Sequence, residues 1–256
     1  MAPAIRARNR ILYILQLFEQ QHVWTVEAIG REMGTSTSSA YRDVQELCQA
    51  GFLVPVVGSG YVLGPAFIQY DRLVRASDPL ICHATPRMRP LLARTTQRAV
   101  AVLSRRYRDE VMCIHQEVGT GPHPLTAYER GVVMPLFKGA TSKAILAHLN
   151  DRTLERIYLE HEEAIRQTTG CPGWRSFREQ LEPIRAAGYA VTVSEVAPGR
   201  VGVAAPIHVS GQVIGGLSLV LHEPDYDAER FPAEVLATAG EICLAVADEA
   251  PWIARA

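Results

Sequence analysis

The sequence predicts an α+β chain in two parts, three short amphipathic helices with a hairpin and then a mainly antiparallel sheet flanked by helices. Three observations carry this reading. Apolar residues recur at helical spacing three times before Gly51, two β-rich runs meet across Gly58-Ser59-Gly60, and from about Leu80 strand-like runs are interleaved with longer helical ones. With 256 residues and 48% hydrophobic composition the chain can bury a substantial core, and its length suits two modest domains.

Ile11, Ile14, Leu15 and Phe18 share one helical face behind Arg6, Arg8 and Arg10, which predicts a first helix. Val26, Ile29 and Met33 repeat the spacing between Thr25, a good N-cap, and Gly34, a good stop. A third helix over about residues 36–50 is capped by Thr35-Ser36, buries Ala40, Val44, Leu47 and Cys48, and ends at Gly51. Its other face carries Thr37, Ser38, Ser39, Tyr41, Arg42 and Gln45, all able to donate hydrogen bonds.

Phe52 to Val57 and Tyr61 to Leu63 then form a hairpin with Ser59 at its tip. Three helices and a hairpin are the order of a winged helix-turn-helix, whose third helix fits the major groove while the wing lies over phosphate. Pro65 opens a further helix with Phe67, Tyr70 and Val74 on one side, and Ser77-Asp78-Pro79 breaks it. The division expected is therefore a winged helix-turn-helix over residues 1–64, a linker helix over 65–79 and a helix-flanked sheet domain over 80–256.

In that third part a helix is expected to about Arg98, then strands at residues 100–104, 111–115, 132–137, 189–193, 201–208 and 213–221. The last two flank the short turn Ser210-Gly211-Gln212 and so are antiparallel neighbours. Helices fit residues 141–149, 153–167, 176–187 and 233–249. Residues 139–143 join a strand to a helix start, where unpaired N–H groups favour an anion. The plainer reading is that Thr141 and Ser142 only cap that helix.

Composition narrows the function classes. A net charge of -1 means any nucleic-acid patch is local. Five cysteines without a CxxC pair argue against a disulfide framework or a thiolate zinc site and fit a reducing cytoplasm. No run approaches the roughly 20 apolar residues that span a bilayer. The histidines show no HExxH or other close spacing, and Gly58-Ser59-Gly60 with Gly64 lies in a hairpin, where a dinucleotide fingerprint does not belong. Cofactor and metal are thus expected to be none. Seven arginines from Arg87 to Arg108 read as a solvated, ion-paired face, and Cys113 with His115 as core.

Met33-Gly34, Ser38-Ser39-Ala40-Tyr41-Arg42, Leu47 to Leu53 and Gly60-Tyr61-Val62-Leu63-Gly64 together resemble the N-terminal module of the IclR (isocitrate lyase regulator) family of bacterial transcription factors. The resemblance continues through Gly131 to Leu136, Gly139 to Ala147, Gly188 to Val191, Pro198-Gly199, Val203 to Ile207 and Ile214 to Ser218.

It implies a GAF-like domain that binds a small effector, commonly an organic acid or aromatic catabolite, and a homodimer or dimer of dimers on double-stranded, palindromic operator DNA. It implies pocket positions at Met134, Ala140, Thr141, Thr192, Gly202, Ser218 and Val220. Relatives that bind small oxoacids tend to have Asp, Cys and a second Ser where this chain has Thr192, Gly202 and Val220, so a roomier, less polar pocket is expected. The competing class is a metabolite-binding protein or enzyme whose N-terminal helices only mediate association; no catalytic residues are assigned.

Overall fold

A computed structural model describes residues 9–126 and 129–248. Arg6, Arg8 and Glu249, which enter the helices expected at the two ends, lie outside the described residues. The chain forms two compact units, Met1–Ser77 and Asp78–Ala256.

In the first unit α1 (Arg10–Leu17), α2 (Val26–Met33) and α3 (Thr37–Gln49) are each capped by a side chain. Asn9 Oδ1 accepts from the Leu12 amide, Thr25 Oγ1 from Ala28 and Ser36 Oγ from Ser39. Their apolar faces meet in a core where Ile14, Leu17, Ile29, Ala40 and Val44 are fully buried, each large aliphatic side chain contributing roughly 1.5–3 kcal/mol. Arg10 pairs with Asp43 at 2.7 Å and fixes α3 against α1.

Strands β1 (Leu53–Val56) and β2 (Gly60–Leu63) pair antiparallel, as the turn residues require. Trp24 and Tyr61 exchange backbone hydrogen bonds at 3.1 and 2.8 Å, so the wing is held by the α1–α2 connection as well. Gly60 makes this possible. Its φ is +115° and an added Cβ would stand 2.5 Å from Trp24 O. In α4 (Ala66–Ser77) Phe67 and Tyr70 pack on Phe52, with ring centroids at 5.4 and 5.7 Å, while Ile68, Leu73 and Val74 remain exposed.

The second unit opens with α5 (Pro79–Arg94) and continues with β3 (Ala99–Tyr107), β4 (Glu110–Val118), β5 (Val133–Pro135), α6 (Ala140–Ala147), α7 (Asp151–Thr169), α8 (Trp174–Ala187), β6 (Ala190–Val193), β7 (Arg200–Val209), β8 (Gln212–His222) and α9 (Arg230–Ala247). Helix α5 stops short of the expected Arg98 because Thr95 leaves helical geometry and its hydroxyl takes the Leu91 carbonyl. Strand β5 is shorter than expected: Pro135 has no N–H for a ladder, and Leu136 and Phe137 turn into the core around α6 to α8.

The six strands run in the order β5-β4-β3-β8-β7-β6, all antiparallel. Strict alternation gives the sheet two purposes. Val201, Val203, Ala205, Leu217, Leu219 and Leu221 face the core under α5 and α9, where all are fully buried. The intervening residues face α6, and the register sets Thr192 beside Gly202, Gly202 beside Val220, and Ala204 beside Ser218.

Most of the arginine run is ion-paired, while Arg106 is half-buried and burial lowers its pKa. Arg89 meets Glu117, Arg94 meets Glu234, Arg98 meets Asp225 and Arg105 meets Asp78, all within 3.1 Å. His148 and His208 stack edge to face with centroids 5.3 Å apart, and burial lowers the pKa of both; Arg185 adds to the shift at His148 and His148 to that at His208. A lowered native pKa means that the unfolded state binds more protons as pH falls. Their contribution to stability is therefore complete above about pH 6.5 and is lost as pH falls below it. Melting temperature is expected to drop between pH 7 and pH 5, and His148→Gln/His208→Gln should flatten that slope in a calorimetric pH series.

Candidate functional site

Two surfaces carry the residues singled out in the sequence. On the first unit, α3 leaves Thr37, Ser38, Tyr41 and Arg42 exposed on one side, with Ser59 exposed at the wing tip. Ser39 and Gln45 are half-buried and differently used. The Ser39 hydroxyl accepts from Ser36 at 3.2 Å, and Gln45 Nε2 donates to Tyr61 Oη at 3.5 Å, bracing α3 against the wing.

On the second unit a cavity of about 40 Å³ lies between the start of α6 and the sheet. Ala140, Thr141, Thr192, Gly202, Ser218 and Val220 all line it. Met134, the seventh expected position, does not. With Val196 and Val220 it packs against Val100, Val102 and Cys113, at the edge of the sheet where β5 lies beyond β4. The space expected from Gly202 is also absent. A Cβ there would meet Ala140 Cβ at 3.2 Å and Thr192 Oγ1 at 3.3 Å, so the missing side chain draws α6 close rather than opening volume.

Thr141 Oγ1 donates to Ser218 Oγ at 2.9 Å, and both residues are 2% exposed. Thr141→Val keeps the shape and removes the donor, and is expected to cost about 1–3 kcal/mol of stability by leaving the Ser218 oxygen buried without its partner. Ser218→Ala added to it should cost little more, since neighbours in one bond are not additive. Thermal melts of the two single variants and the double variant check this.

The anion expected at the head of α6 is supplied by the protein itself. Gly139 adopts φ 87° and offers no cap, and its N–H donates to Glu195 Oε1 at 2.9 Å. Lys143, one turn along, donates to Glu195 Oε2 at 2.6 Å. Glu195 lies in the β6–β7 connection, whose Val196 and Ala197 also wall the cavity, together with Arg200 from the start of β7.

The family model for the C-terminal domain of the bacterial transcriptional regulator IclR matches residues 74–244, and a helix-turn-helix domain model matches residues 10–64. The chain belongs to the IclR family. It is a transcriptional regulator with a DNA-binding helix-turn-helix and an effector-binding C-terminal domain. It is similar to the HTH-type transcriptional regulator KipR of Bacillus subtilis (strain 168), 27% identical over 222 residues that cover 86% of this chain and 87% of KipR.

Solved structures share its fold. The Thermotoga maritima IclR matches with a TM-score of 0.69 at 22% identity, covering 95% of this chain and 99% of that one. An IclR homolog from Microbacterium hydrocarbonoxydans, complexed with 4-hydroxybenzoate, matches with a TM-score of 0.73 at 21% identity, covering 93% and 97%.

Six cavity residues of this IclR-family chain escaped the sequence reading: Leu125, Thr126, Glu195, Val196, Ala197 and Arg200. Arg200 had a signal, since it stands two residues before Gly202 on one strand and so shares its face. The others sit in connections without periodicity. Cys113 is fully buried and burial pushes its thiol up to about 11, which leaves no thiolate for nucleophilic chemistry at neutral pH. Asp109, Glu160 and His161 bring ligand atoms within 4.8 Å of one another, a grouping no sequence spacing signals. The Arg156 guanidinium already holds both Asp109 oxygens and Glu160 at 2.7 Å, so it occupies the place a cation would take.

Proposed function

We propose that this IclR-family chain is a sequence-specific regulator, not an enzyme, that works in the cytoplasm on palindromic operator DNA as a homodimer or dimer of dimers. Its effector is a compound with one polar head near Thr141 and Ser218 and an apolar, ring-sized body against Val196 and Val220. The observation that carries the effector reading is the buried Thr141–Ser218 pair beside those valines. Ser218 keeps a hydroxyl proton that a ligand oxygen can accept, and the valines provide an apolar wall. The 4-hydroxybenzoate complex of the Microbacterium homolog supports the same class of ligand.

For DNA, Thr37, Ser38, Tyr41 and Arg42 are the reading edge, Ser59 is a phosphate contact and Gln45 and Ser39 hold the helix in place. Association is supported by Ile68, Leu73 and Val74, 75%, 54% and 50% exposed on α4, which a second copy would cover.

The decisive experiment selects operators from a random duplex pool and measures affinity against salt. A sequence-selective complex whose log affinity falls linearly with log salt is expected, because phosphate neutralisation releases counterions. Absence of any salt-dependent DNA complex from a folded oligomer would leave the N-terminal helices as an association device only. A thermal-shift screen of aromatic acids, amides and phenols tests the effector, since a ligand of the native state raises its melting point.

A further inference from the structure

We propose that Glu195 is a built-in placeholder for the carboxylate of the effector, and that binding consists of exchanging one carboxylate for another with release of the connection that carries Glu195. This rests on the cavity between α6 and the sheet being the effector site.

A cavity on the order of 150 Å³ is what accepts benzene, and this one encloses about 40 Å³, enough for a few waters. Part of its wall is the β6–β7 connection, through Glu195, Val196 and Ala197, so a ring enters when that connection moves. The connection has two natural pivots, Ser194 at φ 54° and Gly199 at φ 65°. The bonds from Glu195 to Lys143 Nζ and the Gly139 N–H tether it to α6.

Moving Glu195 away strands a partly buried ammonium, 22% exposed, and a backbone N–H, and stranded donors of this kind are costly. A neutral ligand leaves them stranded. A carboxylate on the incoming ligand restores both.

An independent observation points the same way. Arg200 lines the cavity, and its Nε is buried without a hydrogen-bond partner among the described residues, although its Nη1 bonds His222 Nδ1. When Glu195 is released, Lys143 loses its counter-ion and the Arg200 guanidinium adds a second positive charge beside it. The matching ligand is a carboxylate with an apolar body, and neutral isosteres of the same shape bind less well.

The exchange makes an unusual forecast, that removing a charged residue from the wall of the site tightens binding. Calorimetric titration of the full chain with benzoate and with benzamide reads it. Benzoate is expected to bind Glu195→Gln about tenfold more tightly than the parent, because a neutral amide competes poorly for Lys143, and benzamide should tighten as well, since either ligand enters only when the connection is released. Lys143→Met should lower the ratio of benzoate to benzamide affinity about tenfold, because it removes the partner of the ligand carboxylate along with the tether.

Hydrogen exchange on the unaltered protein gives a second readout that needs no variant. Benzoate should speed exchange of the 194–199 amides, whereas a ligand that merely fills a pocket slows it. Benzoate that binds Glu195→Gln equally or more weakly, or that protects residues 194–199, overturns the exchange while leaving the pocket in place. If neither probe binds either protein, the exchange and the pocket assignment fall together.

Discussion

Arg42→Ala is expected to reduce operator affinity by about 1–3 kcal/mol, between fivefold and a hundredfold or more, if the guanidinium reads a base edge. The reason is positional. Arg42 is exposed on α3, while its neighbour Asp43 pairs with Arg10 at 2.7 Å, so the rotation of the helix that presents Arg42 is set by an ion pair on the adjacent face. Fluorescence anisotropy with the selected operator and with scrambled duplex separates two outcomes. A loss confined to the operator assigns base readout, and an equal loss on both, with a salt slope reduced by about one, assigns a phosphate contact. Unchanged affinity for both in a folded protein would remove Arg42 from the interface.

The second large effect is expected at Gly60. Alanine there must adopt φ near +115° and place its Cβ 2.5 Å from Trp24 O and 2.9 Å from Trp24 C, both backbone atoms that cannot swing aside. A cost of roughly 2–4 kcal/mol follows from the strained dihedral and the clash together. It should fall on the first unit alone. Hydrogen exchange is expected to show the amides of Trp24 and Tyr61 losing protection while those of β7 and β8 keep theirs, and operator binding should be lost with the wing. A Gly60→Ala protein with full protection at Trp24 would mean that the wing does not depend on this close approach.

The first unit was legible because each of its signals is local. Thr25, Ser36 and Gly34 announce helix ends, and Ile14, Ile29 and Val44 recur at helical spacing, so caps and core follow from neighbours in sequence. The cavity was legible only where it rests on strands. Thr192, Gly202, Ser218 and Val220 follow from alternation and register once the strands are placed.

Glu195 was invisible to that logic. Its role comes from Gly139 and Lys143, more than fifty residues earlier in the chain, and a connection has no period to reveal which way a side chain turns. Met134 was misplaced for a related reason. Sequence puts it on a strand but does not say that the strand lies at the sheet edge, one strand further from the cavity than Val111 with which it pairs. Gly202 misled in another way, since absence of a side chain reads as space when the neighbouring helix is free to close the gap.

The alternation of β7 and β8 has a consequence for how such a protein can change. Neighbouring positions on the same two strands answer to different selection: Val201, Val203, Leu219 and Leu221 hold the molecule together, while Gly202 and Val220 face the cavity. A random library over residues 192, 202 and 220 should therefore yield many folded proteins with altered ligand preference. The same library over residues 201, 203 and 219 should yield few folded ones. New responsiveness in this scaffold can arise by steps of one residue that never pass through an unfolded ancestor.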